Sequence, residues 1–208
     1  MTTPDLSFIH RFEPGRAEAP PLLLLHGTGG DEDDLLPLGR MIAPDAALLS
    51  PRGKVLERGM PRFFRRIAEG VFDEEDLRRR AAELADFVAE ARAAYKLAAP
   101  IAVGFSNGAN IASAALLLRP AVLAGAALLR PAMPFADPPQ ADLAGKPVLI
   151  LSGSADPIVS AADSSRLARL LEDAGAVVRS ERLPAGHGLS QADVAIAKAW
   201  MAQVFGGH

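Results

Sequence analysis

The feature that most constrains this fold is a set of short apolar runs that do not alternate. Leu22, Leu23, Leu24 and Leu25 follow Pro21 without a polar break, and similar runs stand at 101–103, 125–129 and 148–151. A strand with one wet face alternates apolar and polar residues. An unbroken run of this length suits a strand covered on both faces, as in a parallel sheet. Between the runs lie stretches at helical spacing, such as Leu77, Leu84, Phe87 and Val88. Strands alternating with helices predict an α/β fold, with a mostly parallel central sheet and helices on both faces.

The spacing predicts strands over 6–12 at an edge, 21–25, 46–49, 101–105, 125–129, 148–151 and 177–183. It predicts helices over 35–42, capped by Asp33 or Asp34, and over 73–95, 107–118, 161–174 and 191–205. Residues 54–72 carry Phe63, Phe64 and Phe72 without a period and read as a long loop, a candidate flap over a site. The chain has 208 residues, half of them hydrophobic. That suits one domain over 1–208 with no room for a large inserted cap.

Composition narrows the chemistry. The net charge of −3 supplies no electrostatic reason to bind nucleic acid or an anionic membrane. The Arg78-Arg79-Arg80 run follows an acidic stretch, Asp73 to Asp76, and reads as a solvated helix face. There are no cysteines, so disulfides, thiolate–zinc sites and a cysteine nucleophile are excluded. Met1-Thr2-Thr3-Pro4-Asp5 has no basic segment leading into an apolar one, and the expected location is the cytoplasm.

Gly104-Phe105-Ser106-Asn107-Gly108 is a G-x-S-x-G pentapeptide between an apolar run and a small-residue helical run. A serine at such a strand–turn–helix junction sits on a sharp, strained turn that exposes its hydroxyl. A serine hydroxyl is a poor nucleophile without a base, and the base needs a carboxylate to orient it. In parallel sheets reactive groups gather just after strands. Of the four histidines, His10 lies inside a strand and His208 is terminal. His187, after the last strand, is favoured over His26, because elbow enzymes place their base after the serine in chain order. Asp156, after strand 148–151, is favoured as the acid. Asp137 and Asp142 are rivals, and Asp163 and Asp173 belong to a helix.

An oxyanion needs donors. The Asn107 N–H at a helix start supplies one, and the Thr28 N–H of the glycine-rich loop His26-Gly27-Thr28-Gly29-Gly30 supplies a second. That loop lacks the lysine of a nucleotide-phosphate cradle. Phe63, Phe64, Phe72, Met133 and Phe135 are candidates for the substrate pocket, with core packing as the equal alternative.

Four stretches together resemble a known family: Leu24-Leu25-His26-Gly27-Thr28-Gly29-Gly30, Gly104-Phe105-Ser106-Asn107-Gly108-Ala109-Asn110, Gly153-Ser154-Ala155-Asp156-Pro157, and Gly186-His187. In this order they are similar to the phospholipase/carboxylesterase branch of the α/β-hydrolases, which includes acyl-protein thioesterases. Ser50-Pro51-Arg52-Gly53 looks closest to its small bacterial carboxylesterases. The resemblance implies a Ser106–Asp156–His187 triad, oxyanion donors at Thr28 and Asn107, no metal and no cofactor. It implies a small ester or thioester as substrate, cleaved through an acyl-enzyme, and it is compatible with a homodimer. Dienelactone hydrolases proper use a cysteine, absent here, and the Arg62-Phe63-Phe64 segment departs from a long acyl channel. Two other functions use the same fold: an acyltransferase with an alcohol acceptor, and a catalytically silent binding protein.

Overall fold

The computed structural model describes Pro4 and residues 6–206. The rest of the Met1–Asp5 stretch and His208 lie outside the described residues. The central sheet has seven strands: β1 (His10–Glu13), β2 (Leu22–Leu25), β3 (Leu48–Pro51), β8 (Ile101–Phe105), β9 (Gly125–Leu129), β10 (Pro147–Gly153) and β11 (Val177–Leu183). Their spatial order is β1-β3-β2-β8-β9-β10-β11. β1 pairs with β3 antiparallel and all other pairings are parallel. The helices are α1 (Leu36–Ile42), α2 (Glu74–Tyr95), α3 (Asn107–Leu118), α4 (Ala161–Asp173) and α5 (Gln191–Phe205).

The unalternating runs are explained by a core on each face of the sheet. Leu23, Leu25, Ala102, Ala126, Leu128, Val148 and Ile150 pack under α2, α3 and α4, against Leu77, Phe87, Ile111 and Leu167. Their neighbours Leu22, Leu24, Ile101, Val103, Ala127, Leu129 and Leu149 pack under α1 and α5, against Leu38, Ile42 and Trp200. Successive side chains on a strand point to opposite faces, so both sets must be apolar.

Three expectations are corrected. The edge strand starts later than 6–12, at His10, and β3 is shifted two residues from 46–49, running from Leu48 through Pro51. α1 begins after Leu35 with Pro37 in its first turn, and neither Asp33 nor Asp34 caps it. Pro37 lacks an N–H, and the first turn has no acceptor for one, so the proline fits there.

Residues 54–72 are two small hairpins, β4 (Val55–Glu57) with β5 (Met60–Arg62) and β6 (Arg66–Ala68) with β7 (Val71–Phe72). The first turns at Arg58 and Gly59, with φ of 52° and 81°. Positive φ at both central residues matches the right-handed twist of the flanking strands. Asp73 caps α2 by accepting from the Asp76 N–H. On the Arg78-Arg79-Arg80 face Arg79 is exposed and Arg78 and Arg80 partly so, and Arg79 and Arg80 both pair with buried Asp76.

Candidate active site

The site forms at the carboxyl end of the sheet. Ser106 joins β8 to α3 with φ 52° and ψ −113°, a conformation that is strained for a residue with a Cβ. Its backbone is tied on both sides. The N–H donates to the Leu129 carbonyl at 2.8 Å, and the carbonyl accepts from the Asn110 N–H at 3.0 Å. The flanking glycines make room. A Cβ on Gly104 would stand 2.5 Å from the Gly108 carbonyl oxygen, and one on Gly108 would stand 1.9 Å from that of Leu25.

Two loops bring the partners. Asp156 follows β10 and His187 follows β11. Gly153 lets the loops close on each other, since a Cβ there would lie 2.5 Å from the carbonyl oxygens of Ala185 and Gly186. His187 Nε2 is 2.8 Å from Ser106 Oγ, and His187 Nδ1 is 2.8 Å from Asp156 Oδ2. An ionised carboxylate only accepts, so Nδ1 carries the proton and the Nε2 lone pair faces the serine. Asp156 Oδ1 accepts from the N–H groups of Ile158 and Val159 at 2.8 and 3.0 Å. Burial pushes the Asp156 pKa up. The Val159 N–H, His187 and the Ile158 N–H outweigh it, leaving the carboxyl below its ordinary value. The rivals are placed elsewhere: Asp137 and Asp142 are exposed, and Asp142 accepts from the Ala144 N–H.

His26 is buried and structural. Its Nε2 accepts from the Gly53 N–H at 2.9 Å, which leaves Nδ1 to donate to the Gly27 carbonyl at 2.6 Å. Burial holds its pKa below the ordinary value, so the ring is neutral. It thereby ties the loop carrying Thr28 to the segment after β3. Thr28 and Asn107 line the same cavity as Ser106 and His187, about 290 Å³ in volume. Asn107 is the first residue of α3, so its N–H has no acceptor within the helix.

Of the aromatic pocket candidates, Phe72 lines this cavity. Phe63, Phe64 and Phe135 lie in the core at 1% exposure or less, and Met133 packs half-buried against them. The remaining wall mixes polar Arg62, Arg66 and Glu69 with apolar Phe105, Ile158 and Val159. Phe105 separates the cavity from a more open apolar trough lined by Leu35, Leu38, Met41, Leu189 and Val194.

Two side chains escaped the sequence reading. Asn107 Oδ1 accepts from the Phe63 N–H at 2.8 Å, which fixes the hairpin region to the elbow. Arg130 directly follows β9 and is fully buried. Its Nε donates to the Gly186 carbonyl at 3.0 Å and its Nη2 to that of Gly188 at 3.2 Å, the residues on either side of His187. Nη1 donates to the Leu151 carbonyl, and both Nη atoms bond the buried Asp193 carboxylate at 2.7 and 2.9 Å. All five guanidinium N–H groups are thus used. The place of Arg130 directly after a strand is the one signal in the sequence, and its acceptors, far along the chain, leave no mark there.

Among the described residues no group of three or more His, Asp or Glu is placed to hold a metal ion, and no helix is long and apolar enough to cross a membrane.

Comparison with known proteins adds the lineage. The chain is 48% identical over 193 residues to the putative hydrolase MhqD of Bacillus subtilis strain 168, spanning 92% of this chain and 96% of that one. This chain belongs to the phospholipase/carboxylesterase family of α/β-hydrolases. No family model matches it. Among solved structures of the family's fold, the Bacillus cereus carboxylesterase superposes with a TM-score of 0.94 at 48% identity, covering 96% of this chain and 95% of that one. A carboxylesterase from Mesorhizobium loti superposes at 0.90 with 37% identity, covering 95% and 96%. The central sheet of this α/β-hydrolase is mostly parallel, and among the described residues no large cap interrupts it.

Proposed function

We propose that this family member is a serine carboxylesterase that cleaves short-chain esters through an acyl-enzyme on Ser106. The observation that carries the reading is the continuous relay from Asp156 through His187 to Ser106, with both links at 2.8 Å. His187 Nε2 takes the Ser106 proton as Oγ attacks the ester carbonyl carbon. The N–H groups of Thr28 and Asn107 receive the negative charge on the carbonyl oxygen. The imidazolium gives its proton to the departing alkoxide, so an alcohol leaves and the acyl group stays on Oγ. Water then attacks, again losing its proton to His187. When the tetrahedral intermediate collapses, Oγ recovers that proton and the acid is released. Asp156 holds the Nδ1–H tautomer throughout. The preference for short chains is supported by the small cavity and by the burial of Phe63, Phe64 and Phe135 in the core rather than along a channel.

The test is a chain-length series of p-nitrophenyl esters alongside Ser106→Ala and fluorophosphonate labelling. The expected result is a maximum at two to four acyl carbons, and a fall in kcat of about 10⁴-fold or more for the alanine variant. A maximum at long chains refutes the size argument. A folded protein with no turnover and no label on Ser106 refutes the reading as a whole.

A further inference from the structure

Resting on Ser106 as the nucleophile, we propose that this pocket selects esters carrying a carboxylate, held by Arg62 and Arg66 with the Asn107 amide as a neutral donor.

Both arginines line the cavity that contains Ser106. Arg62, at the end of β5, is only 3% exposed. Its Nε donates to the Phe64 carbonyl at 3.2 Å and its Nη1 lies 3.0 Å from Glu57 Oε2. Arg66, at the start of β6, pairs with the other oxygen of the same carboxylate at 3.0 Å. One glutamate is therefore shared between two cations in a partly desolvated wall. Burial, and then repulsion from Arg66, disfavour the charge on Arg62. A second anion in the cavity relieves that repulsion.

The present source of a second anion is Glu69, whose carboxylate is 3.3 Å from Arg66 Nη1 and 63% exposed. It stands in the β6–β7 turn next to Gly70 and also lines the cavity. An exposed pair of this kind contributes little, because water competes for both partners. A substrate carboxylate anchored beside Ser106 takes its place on Arg66 at small cost. Counted with the Glu57 carboxylate that they share, Arg62 and Arg66 are balanced while Glu69 is in position and carry one net positive charge without it.

The third donor is independent of charge. Asn107 Nδ2 is buried and has no hydrogen-bond partner among the described residues, while Oδ1 of the same amide is fixed by Phe63. A buried donor left without an acceptor is costly, and such groups in native proteins usually have a partner. Asn107 belongs to the cavity wall, so an acceptor oxygen of a bound acid supplies that partner. Neutral short-chain esters leave the guanidinium pair without a second anion. The cavity volume suits a small monoester of a short dicarboxylic acid, or the acetate of a small hydroxy acid.

The experiment compares kcat/KM for matched esters in two arms. Mono-p-nitrophenyl succinate against p-nitrophenyl butyrate places the charge on the acyl side. 3-Acetoxybenzoate against phenyl acetate places it on the alcohol side. The expected ratio of anionic to neutral ester is about tenfold or more in one arm, as for a hydrogen-bonded charge contact. Arg66→Gln should lower that ratio about tenfold and Glu69→Gln should raise it. Opposite signs on substrate charge are not produced by simple loss of structure. A ratio at or below one in both arms, with neutral esters turned over, overturns this proposal alone. So does a ratio that neither variant moves. No turnover of any ester, with no label on Ser106, overturns the parent reading and this one with it.

Discussion

Arg130 shows how a single side chain serves a site that it does not touch. A fully buried cation is tolerated only when its charge and every N–H are matched. Here the matching groups are Asp193 and the carbonyls of Leu151, Gly186 and Gly188. Asp193 in turn accepts from the Ser190 N–H and hydroxyl, closing the first turn of α5 just after the His187 loop. The glycines flanking His187 leave its backbone free to wander, and Arg130 removes that freedom. Arg130→Met leaves the Asp193 carboxylate buried without its cation and should destabilise the fold by about 3–5 kcal/mol, read by urea unfolding. Arg130→Lys keeps the charge but has a single ammonium for acceptors spread around a planar fork. It should lower kcat about tenfold with KM nearly unchanged, because His187 loses alignment while the pocket does not. A lysine variant with wild-type kcat contradicts this positioning role. The sequence revealed the strand-end groups that now stand in hydrogen-bond contact, because topology alone gathers them. It did not reveal the role of Arg130, since a buried guanidinium looks like any surface arginine until its acceptors, dozens of residues away, are in place.

At the scale of elements, the parallel strands were legible as unbroken apolar runs and the long helices because their period repeats several times. β8, α3, β9 and β11 begin and end where their patterns do. The hairpins in 54–72 were not legible. Strands of two or three residues complete no period, and Arg58-Gly59 is a less obvious turn signal than Asn-Gly. The strand–elbow–helix unit depends most on Gly108, where α3 passes against the end of β2. An added Cβ meets the Leu25 carbonyl oxygen at 1.9 Å and its carbon at 2.4 Å, both backbone atoms in a fully buried strand. No side-chain rotation relieves that contact, so helix and strand must separate. Gly108→Ala should cost about 3 kcal/mol or more. It should also depress turnover, because β2 leads directly into the loop carrying Thr28. Gly188→Ala is the control: nothing lies within 4 Å of its Cβ position, and its stability should change by about 0.5 kcal/mol or less. Thermal unfolding of the two variants checks the contrast, and equal melting temperatures refute it.

For the whole molecule, the two-sided core sets how folding responds to acid. Burial keeps His26 neutral, with its folded pKa below the unfolded value of about 6.5. A depressed folded pKa means that the unfolded chain binds a proton first as pH falls. His26 therefore contributes stability in full above about pH 6.5, and the contribution is lost as pH falls toward the folded pKa. The slope cannot exceed one proton, about 1.4 kcal/mol per pH unit. The buried carboxyls act lower down. For Asp76, Asp156 and Asp193, burial raises the pKa but hydrogen bonds and arginine or histidine partners lower it further. Their folded values lie below the unfolded value of about 3.9, so their stabilisation holds above that pH and disappears beneath it. Urea unfolding across the pH range should therefore show two acid branches, a shallow loss starting near neutrality and a steep one below about pH 4. His26 contributes to the first. A histidine proton titration by NMR should find His26 titrating below its ordinary value, after the unfolded chain has already begun to bind its proton. A His26 ring that titrates at its ordinary pKa, or a stability that stays flat from pH 7 to 5, removes the link between this buried imidazole and the acid response. Because the same ring bridges Gly27 and Gly53, protonating it also disrupts the loop that carries Thr28. The fold and the proposed oxyanion site should then weaken together as the pH falls.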